Sequence, residues 1–341
     1  MKKIFLLVLM LFVAGITPAQ TLKTDISVHD PVMIKQDSTY YMFCTGRGIS
    51  MWSSIDRINW KAEKQVFDVA PLWAGKVVPG FKNHIWAPDI SYYNGLYYLY
   101  YAISAFGKNT SAIGLATSPT LHTSDAAYKW TDQGIIVQSI PGKTNWNAID
   151  PNLITDIDGT PYLAFGSFWE GIKIVKLKSN RLEVDGPISN LPTIASRVRN
   201  KSIGNPPAIA DNPKDAGGNA IEAPFIFRHG KYFYLFASID YCCKGPKSTY
   251  KMIVGRSKKL LGPYFDKAYV NMNEGGGSIV LAGDKDWYGV GHNAVCAFEG
   301  IDYLIFHGYD AADRGISKLR IVKLKWQKGW PEIEPKAGQN K

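Results

Sequence analysis

Apolar and polar positions along this chain recur as one phrase, repeated five times: a polar head, an apolar strand, a turn, then an aromatic-rich strand. The copies begin at Asp30 (DPVMIKQDSTYYMF), Asp89 (DISYYNGLYYLYY), Asp150 (DPNLITDIDGTPYLAF), Glu222 (EAPFIFRHGKYFYLF) and Asn293 (NAVCAFEGIDYLIF), at spacings of 59, 61, 72 and 71 residues. Asn94-Gly95 and Asp158-Gly159 read as hairpin turns between such strands. Helical periodicity is nearly absent. Each copy offers a third strand, at Ile49 to Ser53, Ala112 to Thr117, Ile172 to Leu177, Met252 to Ser257 and Leu319 to Leu324. A vaguer fourth follows near Trp60, Trp130, Tyr264 and Trp330. Four strands in each of five long repeats predict an all-β fold, a single-domain five-bladed β-propeller. Its blades stack around an axis because none can bury both faces alone. A β-sandwich, the next architecture considered, would show a shorter period. Alternating apolar and basic residues in Ile172 to Leu177 and Leu319 to Leu324 predict strands with one wet face.

Residues 1–20 stand apart from this pattern. Lys2 and Lys3 precede an apolar run from Ile4 to Ala14 and a Thr17-Pro18-Ala19-Gln20 segment of cleavage type. This predicts a secretory signal peptide over 1–20, with the propeller over 21–341 and export to the periplasm or the medium. An uncleaved N-terminal anchor is the alternative. No later apolar run is long enough to span a membrane. Without Lys2 and Lys3 the formal charge of +10 falls to +8, and the basic residues are scattered. That disfavours nucleic acid as a partner and mildly favours a polyanionic polymer such as pectic material. A monomer is expected. The four cysteines form no zinc spacing and no disulfide scaffold. Cys44 and Cys296 read as buried thiols in strands. Cys242-Cys243 reads either as a vicinal disulfide or as two thiols shaping a loop.

The heads carry the candidate chemistry. Radial symmetry would gather Asp30, Asp89, Asp150 and Glu222 at one end of the axis. Proline follows Asp30 and Asp150 directly and Glu222 one residue later, which should hold the strand start extended and rigid. Carboxylates crowded into one funnel drive their pKa values apart, leaving one ionised and another protonated. Glycoside hydrolysis needs such a pair. Trp86, Phe106, Trp146, Phe168 and Trp169 lie close to the heads and offer flat platforms for sugar rings. Asp-Pro and Asp-Gly also occur in ordinary turns, so Asp89 and Asn293 read as structural heads or, for Asp89, a subsite.

The segments His29-Asp30-Pro31, Trp86-Ala87-Pro88-Asp89, Ala148-Ile149-Asp150-Pro151, Gly166-Ser167-Phe168-Trp169-Glu170-Gly171 and Ile221-Glu222-Ala223-Pro224 resemble glycoside hydrolase family 43. The likeness runs from about Asp25 to Lys325 and is strongest to its endo-α-1,5-L-arabinanases. The resemblance implies a five-bladed propeller acting on arabinan or pectic polysaccharide with inversion. It implies Asp30 as general base, Glu222 as general acid and Asp150 as the group that tunes and orients Glu222. Inversion implies carboxyl groups about 6.5–9.5 Å apart, leaving room for water. His29, Trp86, Phe106, Asn147, Ser167 and Phe168 become candidate sugar contacts, with His84 at a subsite. Gly291-His292-Asn293 matches a family histidine beside a calcium ion. Because calcium prefers oxygen ligands, His292 is expected to contact the ion through its water shell. No organic cofactor is implied, and His122, His229 and His307 receive no role.

Three alternatives accompany this reading. An exo-acting α-L-arabinofuranosidase or β-xylosidase of the same family would release monomer or a fixed dimer. A retaining relative would need a nucleophile. A non-catalytic carbohydrate-binding propeller would have no need of Asp30, Asp150 and Glu222 together.

Overall fold

The computed structural model describes residues 22–197 and 219–333. The expected leader over 1–20 and the Gly/Pro/Asn-rich insertion over 200–218 lie outside the described residues. The chain forms five antiparallel sheets, the blades of a propeller. Blade 1 comprises Val32–Gln36, Thr39–Cys44, Ser50–Ser54 and Lys61–Ala62. Blade 2 comprises His84–Tyr93, Leu96–Ile103, Ser111–Ser118 and Thr131–Ser139. Blade 3 comprises Asn152–Thr155, Pro161–Phe165, Ile172–Lys176 and Thr193–Ala195. Blade 4 comprises Ile221–His229, Tyr232–Ile239, Lys251–Ser257 and Ser278–Leu281. Blade 5 comprises Trp287–Phe298, Ile301–Asp310 and Ile316–Gln327.

Two segments share the outer edge of blade 5. Leu22–Ser27 pairs with Ile316–Gln327 at Leu22↔Ile321, Lys23↔Arg320 and Ser27↔Lys318. Trp330–Ile333 pairs with the far half of the same strand, from Leu324↔Ile333 to Gln327↔Trp330. Trp330 therefore marks an outer strand as expected, but the sequence reading did not anticipate the N-terminal partner. Tyr264 marks none. It lies before the fourth strand of blade 4, fully buried, its hydroxyl donating to the Leu260 carbonyl at 2.6 Å.

The core is divided into five apolar clusters, one between each pair of neighbouring blades. Leu96–Ile103 shows how this follows from the sequence. Side chains alternate across a strand. Tyr97, Leu99, Tyr101 and Ile103 face blade 1, while Tyr98 and Tyr100 face blade 3. Both faces are covered, so a tyrosine-rich strand with no polar alternation is stable here. The Asn94-Gly95 turn feeds this strand with φ of 47° and 82°, as a two-residue hairpin of positive φ requires.

The expectation of one wet face fails for the same reason. Lys173 is 2% exposed, and its ammonium reaches Glu170 at 2.8 Å and Thr193 Oγ1 at 2.7 Å. Arg320 is buried with its guanidinium 3.9 Å from the centre of the Trp287 ring. These basic residues sit between blades: Lys173 is ion-paired, while Arg320 lies over the Trp287 ring with Nε and Nη1 buried and without a hydrogen-bond partner.

Candidate active site

The first strand of each blade lies innermost, and these strands touch in a closed ring running from blade 1 through blade 5 and back to blade 1. Every one of them begins with a β-bulge. In blades 2, 4 and 5 the pairing slips between Trp86 and Asp89, Glu222 and Phe225, and Gly291 and Ala294. In blades 1 and 3 the Thr45 N–H donates to the His29 carbonyl and the Gly166 N–H to the Ile149 carbonyl, both at 2.9 Å, just before regular pairing begins at Val32 and Asn152. The first bulged residue is left-handed in all five: Asp30, Ala87, Asp150, Ala223 and His292, with φ from 44° to 56°.

This corrects the sequence register. The equivalent heads are Asp30, Ala87, Asp150, Ala223 and His292, not the set containing Asp89, Glu222 and Asn293. Proline follows the first four heads. Contrary to expectation, the residue before it is not extended but left-handed, because the bulge imposes that conformation. A positive φ at a non-glycine residue is costly and is retained where the surroundings enforce it, often at functional sites. A bulge also re-aims side chains. Here it brings Glu222, one residue before its head, into charge contact with Asp30 and Asp150 on theirs.

Asp30 is enclosed by donors. Its Oδ1 faces His29 Nδ1 at 2.7 Å and His292 Nδ1 at 3.0 Å. Its Oδ2 accepts from Thr45 Oγ1 at 2.6 Å, and that oxygen accepts the Ala87 N–H at 2.8 Å. The Asp30 N–H donates to His307 Nδ1 at 3.1 Å. Burial alone would raise this carboxyl. The His29 and His292 rings outweigh it and hold Asp30 well below the usual carboxylate range. Burial likewise opposes charge on His292, yet the three carboxylates win, with Asp30 foremost, and push it up to about 9. His307 is fully buried and kept neutral.

Glu222 has a different shell. Ser167 Oγ donates to its Oε2 at 2.7 Å, and the Tyr250 hydroxyl also bonds it. Burial raises Glu222 above the usual range; the two hydroxyls and His292 only moderate this, and the Asp30 charge adds to it. Asp150 is pushed up to about 8, by burial first and by the Glu222 and Asp30 charges in addition, against the pull of His292. Its Oδ2 accepts the Ala223 N–H at 3.0 Å. Asp150 thus grips the backbone beside Glu222. Tyr250 can reach Glu222 only because position 291 is glycine. A Cβ there would lie 2.1 Å from the Tyr250 ring.

The other expected residues divide. His29 joins the site through Asp30. His84 is exposed at the start of the blade 2 strand, and partial burial of its ring lowers its pKa. Ser167, expected to touch sugar, instead holds Glu222. Asn147, also expected to touch sugar, is 3% exposed and its Oδ1 accepts from Ser111 Oγ at 2.7 Å, an internal strut. Trp146 is no platform: it is packed into the core between blades 2 and 3. Phe106 is exposed and Phe168 and Trp169 half-buried, all on loops that leave second strands on the face of the heads. Trp86 is half-buried immediately before its bulge. Asp89 is structural: its Oδ2 accepts the Leu153 N–H of blade 3 at 2.7 Å, and burial pushes its carboxyl up to about 7. Asn152 makes the same link one blade on, to the Ile226 N–H at 2.8 Å.

Five residues of the site went unread: Thr45, Ser238, Tyr250, His307 and Tyr309. Ser238 Oγ accepts the His292 N–H at 2.8 Å. Tyr309 Oη lies 2.9 Å from His29 Nε2. Cys242 and Cys243 are joined as a disulfide, and Cys44 and Cys296 are free, Cys44 buried and Cys296 half-buried.

A calcium ion needs six to eight oxygen ligands. Among the described residues the groups tight enough to share an ion are His29 with Cys242 and Cys243, and His29 with Asp30 and His307. Both are rich in nitrogen or sulfur, and neither contains His292. The Asn293 amide oxygen is buried without a partner, but one such oxygen does not make a calcium cage. The residues present do not fit a calcium ion held directly by protein.

The family model for glycosyl hydrolases family 43 matches residues 24–331. An extracellular exo-alpha-(1->5)-L-arabinofuranosidase of Cellvibrio japonicus is 46% identical over 312 residues, covering 91% of this chain and 87% of that protein. An extracellular endo-alpha-(1->5)-L-arabinanase of Bacillus subtilis is 43% identical over 308 residues, covering 89% and 87%. The structure of a Cellvibrio cellulosa alpha-L-arabinanase complexed with arabinohexaose aligns with a TM-score of 0.85 at 46% identity, covering 90% of this chain and 95% of that one. Five blades, a carboxylate triad on matched bulges and a family match along nearly the whole described chain agree: this protein is a glycoside hydrolase and belongs to glycosyl hydrolase family 43.

Proposed function

We propose that this protein hydrolyses internal α-1,5-L-arabinofuranosidic bonds of arabinan with inversion of configuration. Asp30 is the general base, Glu222 the general acid and Asp150 the residue that positions and tunes Glu222. One observation supports the assignment: two carboxylates within reach of each other's charge have opposite shells. Asp30 faces two imidazoles and Thr45 and is held well down, while half-buried Glu222 meets only hydroxyls and is pushed up by desolvation. Near neutrality Asp30 is an anion able to accept a proton from water. Glu222, raised by desolvation, is the carboxyl suited to hold a proton for the departing sugar oxygen. Protonated His292 balances the cluster and keeps Asp30 ionised. Phe106, Phe168, Trp169 and Trp86 are proposed as the aromatic lining of the sugar subsites. Export is proposed from the leader-like residues 1–20 and from the extracellular relatives. Among the described residues no helix is long and apolar enough to cross a membrane. Calcium is retained only as a hydrated ion meeting His292 through water, tested by activity and unfolding midpoint with and without chelator.

A second reading, exo action, is favoured by the 46% identity to an exo-acting arabinofuranosidase. Time-resolved products from linear arabinan separate the two. A ladder of oligomers supports endo cleavage; monomer or one fixed oligomer from the first minutes overturns it in favour of exo. Proton NMR of the first-formed anomer tests inversion. Asp30→Ala or Glu222→Ala protein with near wild-type rates would remove the mechanism.

A further inference from the structure

We infer that the Cys242–Cys243 disulfide and Tyr309 are positioning groups that fix the tautomer of His29 and so aim its N–H at the Asp30 carboxylate. The inference rests on Asp30 being the base proposed above.

The pair lies in the loop between the blade 4 strands Tyr232–Ile239 and Lys251–Ser257. A disulfide between adjacent residues closes a small ring around the peptide that joins them, which limits how that peptide can turn. The N–H of this enclosed peptide belongs to Cys243, and it donates to Tyr309 Oη at 2.7 Å. The phenol oxygen is thereby the acceptor on that side. Ser248 also bonds this phenol, its own oxygen taking the Lys244 N–H and its hydroxyl donating to Tyr309, so the phenol hydrogen is left for His29 Nε2, 2.9 Å away. Burial keeps the Tyr309 hydroxyl protonated. A neutral imidazole carries one N–H, so if Nε2 accepts, Nδ1 must donate. Nδ1 faces Asp30 Oδ1 at 2.7 Å. Cys243 Sγ also packs 3.8 Å from His29 Nε2.

Each link has one direction. If the 242–243 peptide turned over, the Cys242 carbonyl would face Tyr309, whose hydroxyl would donate to it instead. His29 Nε2 would lose its donor, and the tautomer with a bare Nδ1 towards Asp30 would become accessible. The ring itself would stay in place, since it stacks on buried His307 with centroids 3.9 Å apart. The device therefore controls proton order rather than packing. Cys243 is exposed, so a solution reductant can reach it. All four cysteines lie among the described residues, and the other two are free.

The test treats intact protein with a water-soluble phosphine. The disulfide takes up two electrons and two protons as two thiols, and the phosphine leaves as its oxide with oxygen from water. We expect kcat on a linear arabino-oligosaccharide to fall about tenfold with KM little changed, and to return on reoxidation. Tyr309→Phe keeps the ring but cuts the relay. It should show the same loss and then no further response to reductant, a non-additivity that separate structural damage would not give. Nitrogen-15 spectra of histidine-labelled protein should show Nδ1–H on His29 when oxidised and lose that preference when reduced, the signal being assigned by its absence in His29→Gln. Equal kcat in both redox states, additive losses, or an unchanged His29 tautomer would each overturn the inference. The spectra need no turnover. If the oxidised protein does not cleave arabinan, the proposed function fails while the relay is still decided.

Discussion

Asp30 of blade 1 and Glu222 of blade 4 are set in the same backbone device and differ in what surrounds them. Asp30 is the left-handed residue of its bulge and Glu222 directly precedes one; Asp30 is buried and Glu222 half-buried. Burial raises both. Asp30 meets two imidazoles and a hydroxyl, one of the imidazoles charged because the cluster itself raises it to about 9. Glu222 meets hydroxyls from Ser167 and Tyr250. Neutral hydroxyls stabilise an anion less than a cation does. Desolvation therefore ends in an anion at the blade 1 head and an acid one residue before the blade 4 head. Acid and base are separated here by the neighbours that adjoining blades supply, not by the carboxyl groups or the backbone that carries them.

The largest break in this comparison is to remove either proton-transfer group while keeping its shape. Asp30→Asn and Glu222→Gln should each lower kcat on arabinan by about 10²–10⁴-fold, read by reducing-sugar release, with calorimetry showing that each variant still unfolds cooperatively. Glu222→Gln should be rescued on an activated aryl arabinoside, whose leaving group needs no acid, and Asp30→Asn should not. Rescue of both or of neither would contradict the distinct roles. Next comes the shared cation. His292→Gln should cost about 10–100-fold in kcat/KM and move both limbs of its pH profile upward. The imidazolium lowers Asp30, Asp150 and Glu222 alike, so its loss raises the base and the acid together. His292 itself has a raised folded-state pKa. Its stabilising contribution is full below its unfolded value near 6.5 and fades as pH rises through about 9. The stability gap between wild type and His292→Gln should close over that window.

The sequence yields the architecture because the cues are local and repeated: alternating strands, Asn-Gly and Asp-Gly turns, and a long period. It yields Asp30, Asp150 and Glu222 by family likeness, but misplaces the symmetry that relates them. A bulge is a backbone conformation, and its trace in the sequence is only the proline after Asp30, Ala87, Asp150 and Ala223, where the usual rule for the residue before proline points the wrong way. The wet faces expected from Lys173 and Arg320 fail because a basic residue between blades looks in sequence like one facing water. His307 and Tyr309 are hidden in an apolar, aromatic strand. Their importance arises from pairing with the bulge of blade 5, where His307 lies opposite Gly291, and from reaching across to His29 in blade 1. Contacts between distant blades leave no local signature.

Smaller effects sharpen the comparison by changing one neighbour at a time. Asp150 is the carboxylate whose environment serves Glu222 at a cost to stability. A group whose folded pKa is raised, here to about 8, favours the folded state below its unfolded value, and that benefit disappears as pH rises through 8. Asp150→Asn keeps an acceptor for the Ala223 N–H and removes the charge. It should stabilise the protein by several kcal/mol more at pH 8.5 than at pH 4, where both states hold the proton, by denaturant titration, while lowering kcat. A stability gain equal at both pH values would mean that the benefit is packing rather than charge.

The finest test is Tyr250→Phe. The Tyr250 hydroxyl bonds Glu222 in its charged form and so lowers its pKa, opposing the rise that burial imposes. Removing it lets burial act further. Glu222 works as an acid only while protonated, so activity is lost as pH rises through its pKa. A higher pKa must therefore carry the alkaline limb of kcat/KM to higher pH, and the acid limb, set by Asp30, should stay where it is. At the pH optimum the rate should fall only a few-fold, about the worth of one hydrogen bond to a charged group, because Ser167 still holds the carboxyl. An unmoved alkaline limb would show that Tyr250 does not govern the acid. Movement of the acid limb instead would exchange the two roles, making Glu222 the base and Asp30 the acid.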